Sequence, residues 1–448
     1  MATSTITVPA SSTRRERWAW YLYDFGNSAY AAVVLLAVYS AYFQGTVVGG
    51  AEGSRLWGLS VGIAMLVVAV TSPILGAIAD FSASKKRLLA FYTVMTVIFT
   101  AGLFFATPGQ VAIGMGFFIL AEIGYRSAQV FYDALLPEIA APEEMGRISG
   151  NGWAVGTAGG IVCLVIVLPL IVLQQQGVLA MSGDLVVRIT LVITAVFFAL
   201  SAIPLFLWLP ERAKAKALPA GENYLSMAFK QLGKTIRTAR SFREFLKFML
   251  AFLIYNDGII MALDFAAIIG AVLFGMNQQD LIIFVILVQA TNVVGAYIFG
   301  ILMDRMGGKP SLVGSLILMI LVVLGLYLAQ TRTAFFIIGA VAGVAMAGAQ
   351  SVSRTMVAVF APPGQSAEFY GFFAVAGRTS SFIGPAVYGW IAAEMALYYA
   401  AQGQSVALAE QSGQRIAILS IAIFLLVGLG LLLFVDEKKA RETAVGEM

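Results

Sequence analysis

Glu122, Arg126, Gln129 and Asp133 recur at i, i+4, i+7 and i+11, which places four polar groups on one face of a helix. The segment around them is apolar. Asp257 and Asp264 share another helical face at i, i+7, with Asn256 beside the first. Asp24 and Asn27, the pair Gln289 and Asn292, and Arg378 lie singly in other apolar runs. Ionisable groups inside a membrane span are costly, so they face the protein interior or a water-filled path and mark function. Opposite charges there can bind and release a polar solute, and a desolvated carboxylate can carry a proton. The chain has no histidine. Glu122, Asp257 and Asp264 are therefore the candidates for proton coupling, with Asp257 preferred because no arginine stands near it in the sequence. Imidazole metal sites are excluded, and neither a metal nor a cofactor is expected. No G-x-x-x-x-G-K-[ST] loop is present, so ATP is not the expected driver. The pattern points to an integral membrane transporter and not to an enzyme.

Composition supplies the elements that hold these groups. The hydrophobic fraction is 60% and charged residues are 12%. Soluble domains are roughly 45–50% apolar, and the mean hydropathy here is +0.88. Runs of about 20 apolar residues are long enough to cross a bilayer. About twelve such runs occur, near 19–43, 55–79, 88–107, 110–136, 149–173, 186–209, 245–274, 280–303, 311–329, 333–360, 367–395 and 413–435. All are read as helices, because lipid leaves backbone polar groups no outside partner. Met1 to Arg17 is polar and has no apolar core, so no cleavable signal peptide is expected. Cys163 is the single cysteine and reads as a small core residue. Trp18, Trp20, Trp57, Trp208 and Trp390 fall near span ends and read as an aromatic belt. The bases fall in loops, and no nucleic-acid partner is expected.

Basic residues set the orientation. Arg14, Arg15, Arg17, Lys85, Lys86, Arg87, Arg147, Arg305, Lys309, Lys438, Lys439 and Arg441 belong to one side, and Arg55, Arg188, Arg332 and Arg415 to the other. Both termini are therefore expected in the cytoplasm, and in a bacterium the membrane is the inner (plasma) membrane. The segments are a tail (1–18), a six-helix bundle (19–209), a cytoplasmic linker (210–244), a second six-helix bundle (245–435) and a C-terminal tail (436–448). The linker carries Lys230, Lys234, Arg237 and Arg240 on one helical stripe and Leu225, Leu232, Ile236 and Ala239 on another. That pattern suits an amphipathic helix resting on the anionic inner leaflet. Membrane lipids, protons and a small-molecule substrate are the expected partners, and the chain is expected to be a monomer.

The chain repeats itself half a length apart. Gly76-Ala77-Ile78-Ala79-Asp80 is followed by Lys85, Lys86 and Arg87, and Gly300-Ile301-Leu302-Met303-Asp304 by Arg305 and Lys309. Ala128-Gln129 is echoed by Ala349-Gln350, and Tyr23-Asp24 by Tyr255-Asn256-Asp257. Two six-helix halves explain all three.

The G-x-x-x-D loops with following bases, and Arg126-Ser127-Ala128-Gln129, resemble signatures of the major facilitator superfamily. The first loop departs from the pattern at Phe81 and at Ala83 or Ser84. Finer motifs resemble the vacuole-effluxer group, the fungal autophagy-linked amino-acid effluxers and their bacterial homologues. They are Tyr23-Asp24-Phe25-Gly26-Asn27-Ser28-Ala29-Tyr30, Tyr132-Asp133-Ala134-Leu135-Leu136-Pro137-Glu138, Gly152-Trp153-Ala154 and Gly348-Ala349-Gln350-Ser351-Val352-Ser353-Arg354. The resemblance implies an all-α membrane protein with twelve transmembrane helices in two pseudo-symmetric six-helix bundles. It implies export of amino acids, with spans one, four, seven and ten lining the path. A zwitterion needs a cation and an anion as partners. Arg126 or Arg378 would hold its carboxylate, and Asp257 or Asp264 its ammonium. Asp24, Asn27, Gln129, Asn256, Gln289 and Asn292 complete the candidate binding set.

Gly76, Asp80, Lys85, Arg87, Asp133, Gly300, Asp304, Arg305, Lys309 and Arg354 form the candidate cytoplasmic gate, in which carboxylates pair in one state and separate in the other. The plainer alternatives are an anchor obeying the positive-inside rule for the loops, and a structural ion pair along one helix for Glu122 and Arg126. Gly152, Gly156, Gly159 and Gly160 read as close helix packing, since Thr157 stands where antiporters of the superfamily carry proline. Competing functions are transport of another small polar solute or a drug, and a protein without a transport cycle such as a lipid scramblase or sensor. Topology tests the basic-residue bias. Reporter fusions at residues 220 and 440 are both expected to read cytoplasmic, and a periplasmic signal from either would make the number of spans wrong by an odd count.

Overall fold

The computed structural model describes residues 12–82, 84–140, 144–212, 242–360 and 382–446, together with Phe369, Phe373, Ala376 and Gly377. Its regular elements are all helical. The first is α1, Arg14–Val48. Then come α2 (Gly50–Ser82), α3 (Lys85–Gly102), α4 (Val111–Ala134), α5 (Met145–Gln175) and α6 (Gly183–Trp208). The second half holds α7 (Arg243–Phe274), α8 (Gln278–Met306), α9 (Gly308–Leu328), α10 (Arg332–Phe360), α11 (Ile383–Ala401) and α12 (Val406–Leu433). A last helix, α13 (Glu437–Gly446), follows. Eleven of these helices are long and apolar enough to span a membrane. Helix α11 stands in the place of the remaining expected span.

Several helices start earlier than hydropathy alone suggests, because polar residues build their first turns. Thr13 caps α1 by accepting from the Glu16 amide at 3.3 Å, and Glu16 accepts from the Thr13 amide at 2.9 Å. Asn277 and Asp280 cap α8 in the same way. Helix α1 is regular to Tyr30 and then carries two π-wound stretches, Ala31–Ala37 and Phe43–Val48. The amphipathic stripe expected at Lys230, Lys234, Arg237 and Arg240 lies outside the described residues.

The two halves are built alike. In the first, α1 packs on α5 and α6, α4 on α2 and α3, and α3 on α6. In the second, α7 packs on α11 and α12, α10 on α8 and α9, and α9 on α12. Equivalent polar contacts close each ring. At the end of the bundle that carries the termini, Glu211 accepts from the Lys85 and Lys86 amides at 2.6 and 3.3 Å. Lys86 Nζ returns a bond to the Leu209 carbonyl at 2.6 Å. In the second half Glu437 accepts from the Lys309 amide at 2.9 Å, and Lys309 Nζ donates to the carbonyls of Leu433 and Val435 at 2.8 and 2.7 Å. A carboxylate satisfies orphan amides where a helix starts, and a lysine satisfies orphan carbonyls where one stops. Glu16 holds Arg212 at 2.9 Å, and Glu244 accepts from the Asp436 amide at 2.8 Å, so the first helix of each half is tied to the segment after its last. At the far end, Arg188 donates to the Phe104 carbonyl at 3.1 Å, and Arg415 to the carbonyls of Tyr327 and Ala329 at 2.6 and 2.9 Å.

The halves meet through α2 against α11 and α5 against α8, two pairs exchanged by the internal symmetry. Small residues bring the first pair together. A Cβ on Gly58 would stand 2.1 Å from the Pro385 carbonyl oxygen, and one on Gly389 2.4 Å from that of Ser54.

The arginine clamps at the far end give a stability prediction. Arg415→Ala frees two helix-end carbonyls and is expected to cost about 1–3 kcal/mol, read as a lower Tm of the purified protein in detergent. Arg188→Ala is expected to do the same with a smaller shift. Unchanged melting in both variants would mean that water replaces these bonds at no cost.

Candidate functional site

The charged stripe of α4 faces inward where the halves meet. Glu122 is fully buried and accepts from Arg126 Nε at 2.7 Å, one turn along the same helix. The Arg126 guanidinium lies over the Tyr125 ring, 5.2 Å from its centroid, and Tyr30 of α1 stacks on that ring at 4.6 Å. The structural ion pair is therefore formed. It is not isolated, because Asp264 of α7, across the interface, lies close enough for its charge to act on both Arg126 and Glu122. Among the described residues the buried Glu122 Oε2, Asp264 Oδ2 and Asn27 Oδ1 accept no well-formed hydrogen bond, and the Tyr30 hydroxyl faces the Glu122 carboxylate. A polar atom kept from both water and partner is costly. Orphaned acceptors of this kind suit a path that admits water or a solute carrying N–H groups.

Asp257 proves to have a partner that local sequence does not show. Its Oδ2 accepts from the Gly384 amide at 2.9 Å, at the start of α11. A carboxylate at a helix N-terminus satisfies an orphan amide and opposes the positive end of the dipole. Its Oδ1 has no hydrogen-bond partner among the described residues. Neighbouring Asn256 donates to the Gly377 carbonyl at 3.3 Å. Asn292 donates to the Gly343 carbonyl at 3.4 Å, which ties α8 to α10 within one half. Gln289 and Gln129 are half-buried. Arg378 lies outside the described residues.

Nearer the terminal end, Asp24 packs against Gly156 of α5, where a Cβ would come within 2.6 Å of its Oδ2. Gly152, Gly159 and Gly160 likewise admit Trp20, Phe25 and Ser28 of α1, so the glycines of α5 serve packing. The charges of Asp133, in the same half, and Arg354, in the other, both act on Asp24. Asp133, Arg354, Asp304, Arg305 and Arg87 are exposed. A Cβ on Gly76 or Gly300 would meet nothing within 4 Å. Lys309 caps helix ends as described above, and Lys85 pairs with Glu138 at 3.3 Å, so both serve ring closure within their own halves. The Asp80 side chain lies outside the described residues.

At the far end, polar bonds join the halves. Arg55 pairs with Glu394 at 2.6 Å, Gln414 Nε2 donates to Ser54 Oγ at 2.6 Å, and Gln278 Nε2 donates to the Val38 carbonyl at 3.3 Å. Tyr388 donates to Gln414 Oε1 at 2.8 Å. Trp57 is fully buried and donates to the Asp264 carbonyl at 2.9 Å. This corrects the reading of Trp57 as part of an aromatic belt. Trp20 is also buried, stacked on Tyr132 at 4.4 Å, whereas Trp18 and Trp390 are exposed as a belt requires. Sequence reasoning missed this set because each member is an ordinary residue type whose partner lies in the other half. The ring-closing Glu211 and Glu437 had a signal, since each stands two residues past the end of its bundle.

A family model described as "Vacuole effluxer Atg22 like" matches residues 57–445. An uncharacterised major-facilitator-type transporter of Bacillus subtilis (strain 168), YxiO, is 27% identical over 96% of this chain and 97% of its own length. Autophagy-related protein 22-1 of Penicillium rubens is 25% identical over 67% of this chain. The match spans 50% of that fungal protein. Among solved structures, a bacterial homologue of the human lysosomal transporter Spinster, inward-facing and unoccupied, superposes with a TM-score of 0.70 at 15% identity, covering 97% of this chain and 98% of its own. A D-xylose–proton symporter superposes with a TM-score of 0.65 at 14% identity, over 95% and 98% of the two chains. These likenesses show the fold.

Because Glu122 is the counter-charge in direct contact with Arg126, Glu122→Gln is expected to destabilise the protein by ~3 kcal/mol, the lower end for breaking a buried pair, since Asp264 remains nearby. The measurement is thermal unfolding in detergent. Wild-type melting would mean that Asp264 alone suffices to balance Arg126.

Proposed function

The chain belongs to the Atg22-like vacuole effluxer family of membrane transporters, and from that premise we propose that it moves small zwitterionic solutes, chiefly neutral amino acids, outward by proton-coupled alternating access. The observation that carries this reading is the cluster of Glu122, Arg126 and Asp264, contributed by both halves and holding orphaned acceptor oxygens beside one guanidinium. An α-amino acid offers the matching pair of charges, a carboxylate for Arg126 and an ammonium for the free carboxylate oxygens. The autophagy-related name of the fungal relatives agrees with effluxer chemistry. Burial of these groups between helices favours a solute path over a lipid scramblase, which needs a polar groove facing lipid.

With both termini in the cytoplasm, the far end faces outward. In this reading the cross-half bonds at that end form the outward gate in its shut state. Exposed Asp133 and Arg354, and the room beside Gly76 and Gly300, supply the surfaces that come together when the terminal end closes instead. Rocking of one bundle against the other about a central site is the expected motion. The protein acts in this reading as a monomer of the plasma membrane in a bacterium.

The structure alters the ranking of proton carriers. Asp257 holds the first turn of α11 and has a structural task. Asp264 lies within charge range of Arg126 of the opposite half, so its environment changes when the halves part. Asp264→Asn is expected to abolish substrate accumulation driven by a pH gradient in proteoliposomes and to leave a weakened but measurable counterflow exchange, because the amide keeps the shape, loses the titration and holds the ammonium less tightly. Asp257→Asn is expected to reduce both modes together. The opposite pattern would return the coupling role to Asp257, and accumulation equal to wild type in both variants would exclude proton coupling through either.

A further inference from the structure

Trp57 enters α2 two turns from its far-end start, and Asp264 lies about 15 Å along α7 from the far-end terminus of that helix. They meet in the core, where the indole N–H donates to the Asp264 carbonyl at 2.9 Å. The aromatic rings packed on the indole belong to the first half. Phe118 of α4 lies at 4.5 Å between centroids, Phe43 at 6.0 Å and Tyr39 at 6.2 Å. The ring is fully buried among aromatic neighbours on α1 and α4, which tie it to the first half. Indole is donor only, so once α7 withdraws its single polar atom must find water or lose its bond.

The same residue of α7 is held twice by the first half. Its backbone carbonyl takes the Trp57 proton, and its carboxylate sits within charge range of Arg126 and Glu122. The far-end seam lies directly above. Ser54, one turn before Trp57, binds Gln414, and Gly58, next to Trp57, touches the Pro385 carbonyl of α11.

We propose that Trp57 is the positioning residue that makes the placement of Asp264 opposite the Glu122–Arg126 pair conditional on closure of the far end. The indole bond fixes the depth and rotation of α7 against α2. When the seam of Ser54, Gly58 and Gly389 is closed, the bond holds the Asp264 carboxylate within charge range of the guanidinium. When the seam opens, the bond is lost and the carboxylate leaves that range in one movement. Asp264 then becomes accessible to a proton, and Arg126 to a substrate carboxylate, at the same moment. This rests on the alternating-access reading given above and adds to it a named mechanical link.

The test uses the full-length protein in liposomes, with Cys163→Ser removing the native thiol. Spin labels at Thr46 and Gln402, both exposed at the far end on opposite halves, report the far-end separation. Wild type is expected to show a short and a long distance whose ratio moves with added neutral amino acid, L-leucine as the probe. Trp57→Phe keeps an aromatic ring and removes the N–H, and is expected to raise the long-distance population about two- to tenfold, the range for losing one net hydrogen bond. Phe118→Leu loosens the same pocket without touching the bond and is expected to shift it less. Asp264→Asn is expected to have a smaller effect in the Trp57→Phe background than alone, since coupled residues are not additive. A distribution in Trp57→Phe identical to wild type, an equal shift from Phe118→Leu, or additive effects with Asp264→Asn would each overturn the assignment. A single unchanging distance in wild type would instead overturn alternating access, and the link with it.

Discussion

A charge inside lipid must find its counter-charge inside the protein, and in this chain that constraint gathers around Arg126. Its guanidinium holds Glu122 on its own helix, lies over Tyr125, and draws Asp264 from the opposite half. The polar stripe of α4 has to face the junction of the bundles because no lipid-facing position could hold it. Once α4 is turned this way, α1 must supply Tyr30 and Asn27 to the same face and α7 must supply Asp264. The placement of three helices thus follows from one ion that cannot be left dry and alone. The arrangement is also what permits work, since its acceptors exceed what Arg126 satisfies and the surplus is available to a solute.

Around that centre each half is built to move as a unit. Glu211 and Lys86 in the first half, and Glu437 and Lys309 in the second, exchange bonds between the end of the sixth helix and the start of the third. Arg188 and Arg415 repeat the tie at the opposite end. These contacts lie within a half, so none has to break when the halves separate. The contacts between halves are of another kind: glycine against backbone, single hydrogen bonds, and an ion pair at the rim between Arg55 and Glu394. Such bonds are individually modest. Strong ties inside the bundles and weaker ones between them are what rigid-body rocking requires.

Much of this was legible in the residues. Hydropathy placed the spans, the duplicated G-x-x-x-D loops divided the chain, and period and charge found the inward face of α4. The glycines of α5 were read correctly as packing sites, because small residues at four-residue spacing have one dominant use in lipid. Legibility failed where meaning depends on a partner far away in sequence. Asp257 looked unpartnered because its amide donor, Gly384, belongs to a helix 127 residues further on. Trp57 looked like a belt residue because depth along a helix is visible in sequence, whereas rotation toward the other half is not. Lys85 and Lys309 looked like gate cations because their carboxylate partners, Glu138 and Glu437, stand 53 and 128 residues further on.

The winding of α1 has a consequence of its own. Its second half, Ala31–Ala37 and Phe43–Val48, is coiled with i→i+5 bonds, more loosely than an α-helix. Each residue released from such a turn into regular winding rotates the helix beyond it by roughly 100°. Val38, whose carbonyl takes the Gln278 amide from the opposite half, sits between the two stretches. The tyrosines of this stretch hold the loose winding in place: Tyr39 donates to the Gly114 carbonyl at 2.8 Å and Tyr42 to the Ala106 carbonyl at 2.9 Å. The outer part of α1 is thus fastened to its own half at two points, so its slack coil presents Tyr39 and Phe43 to Trp57 as part of one body.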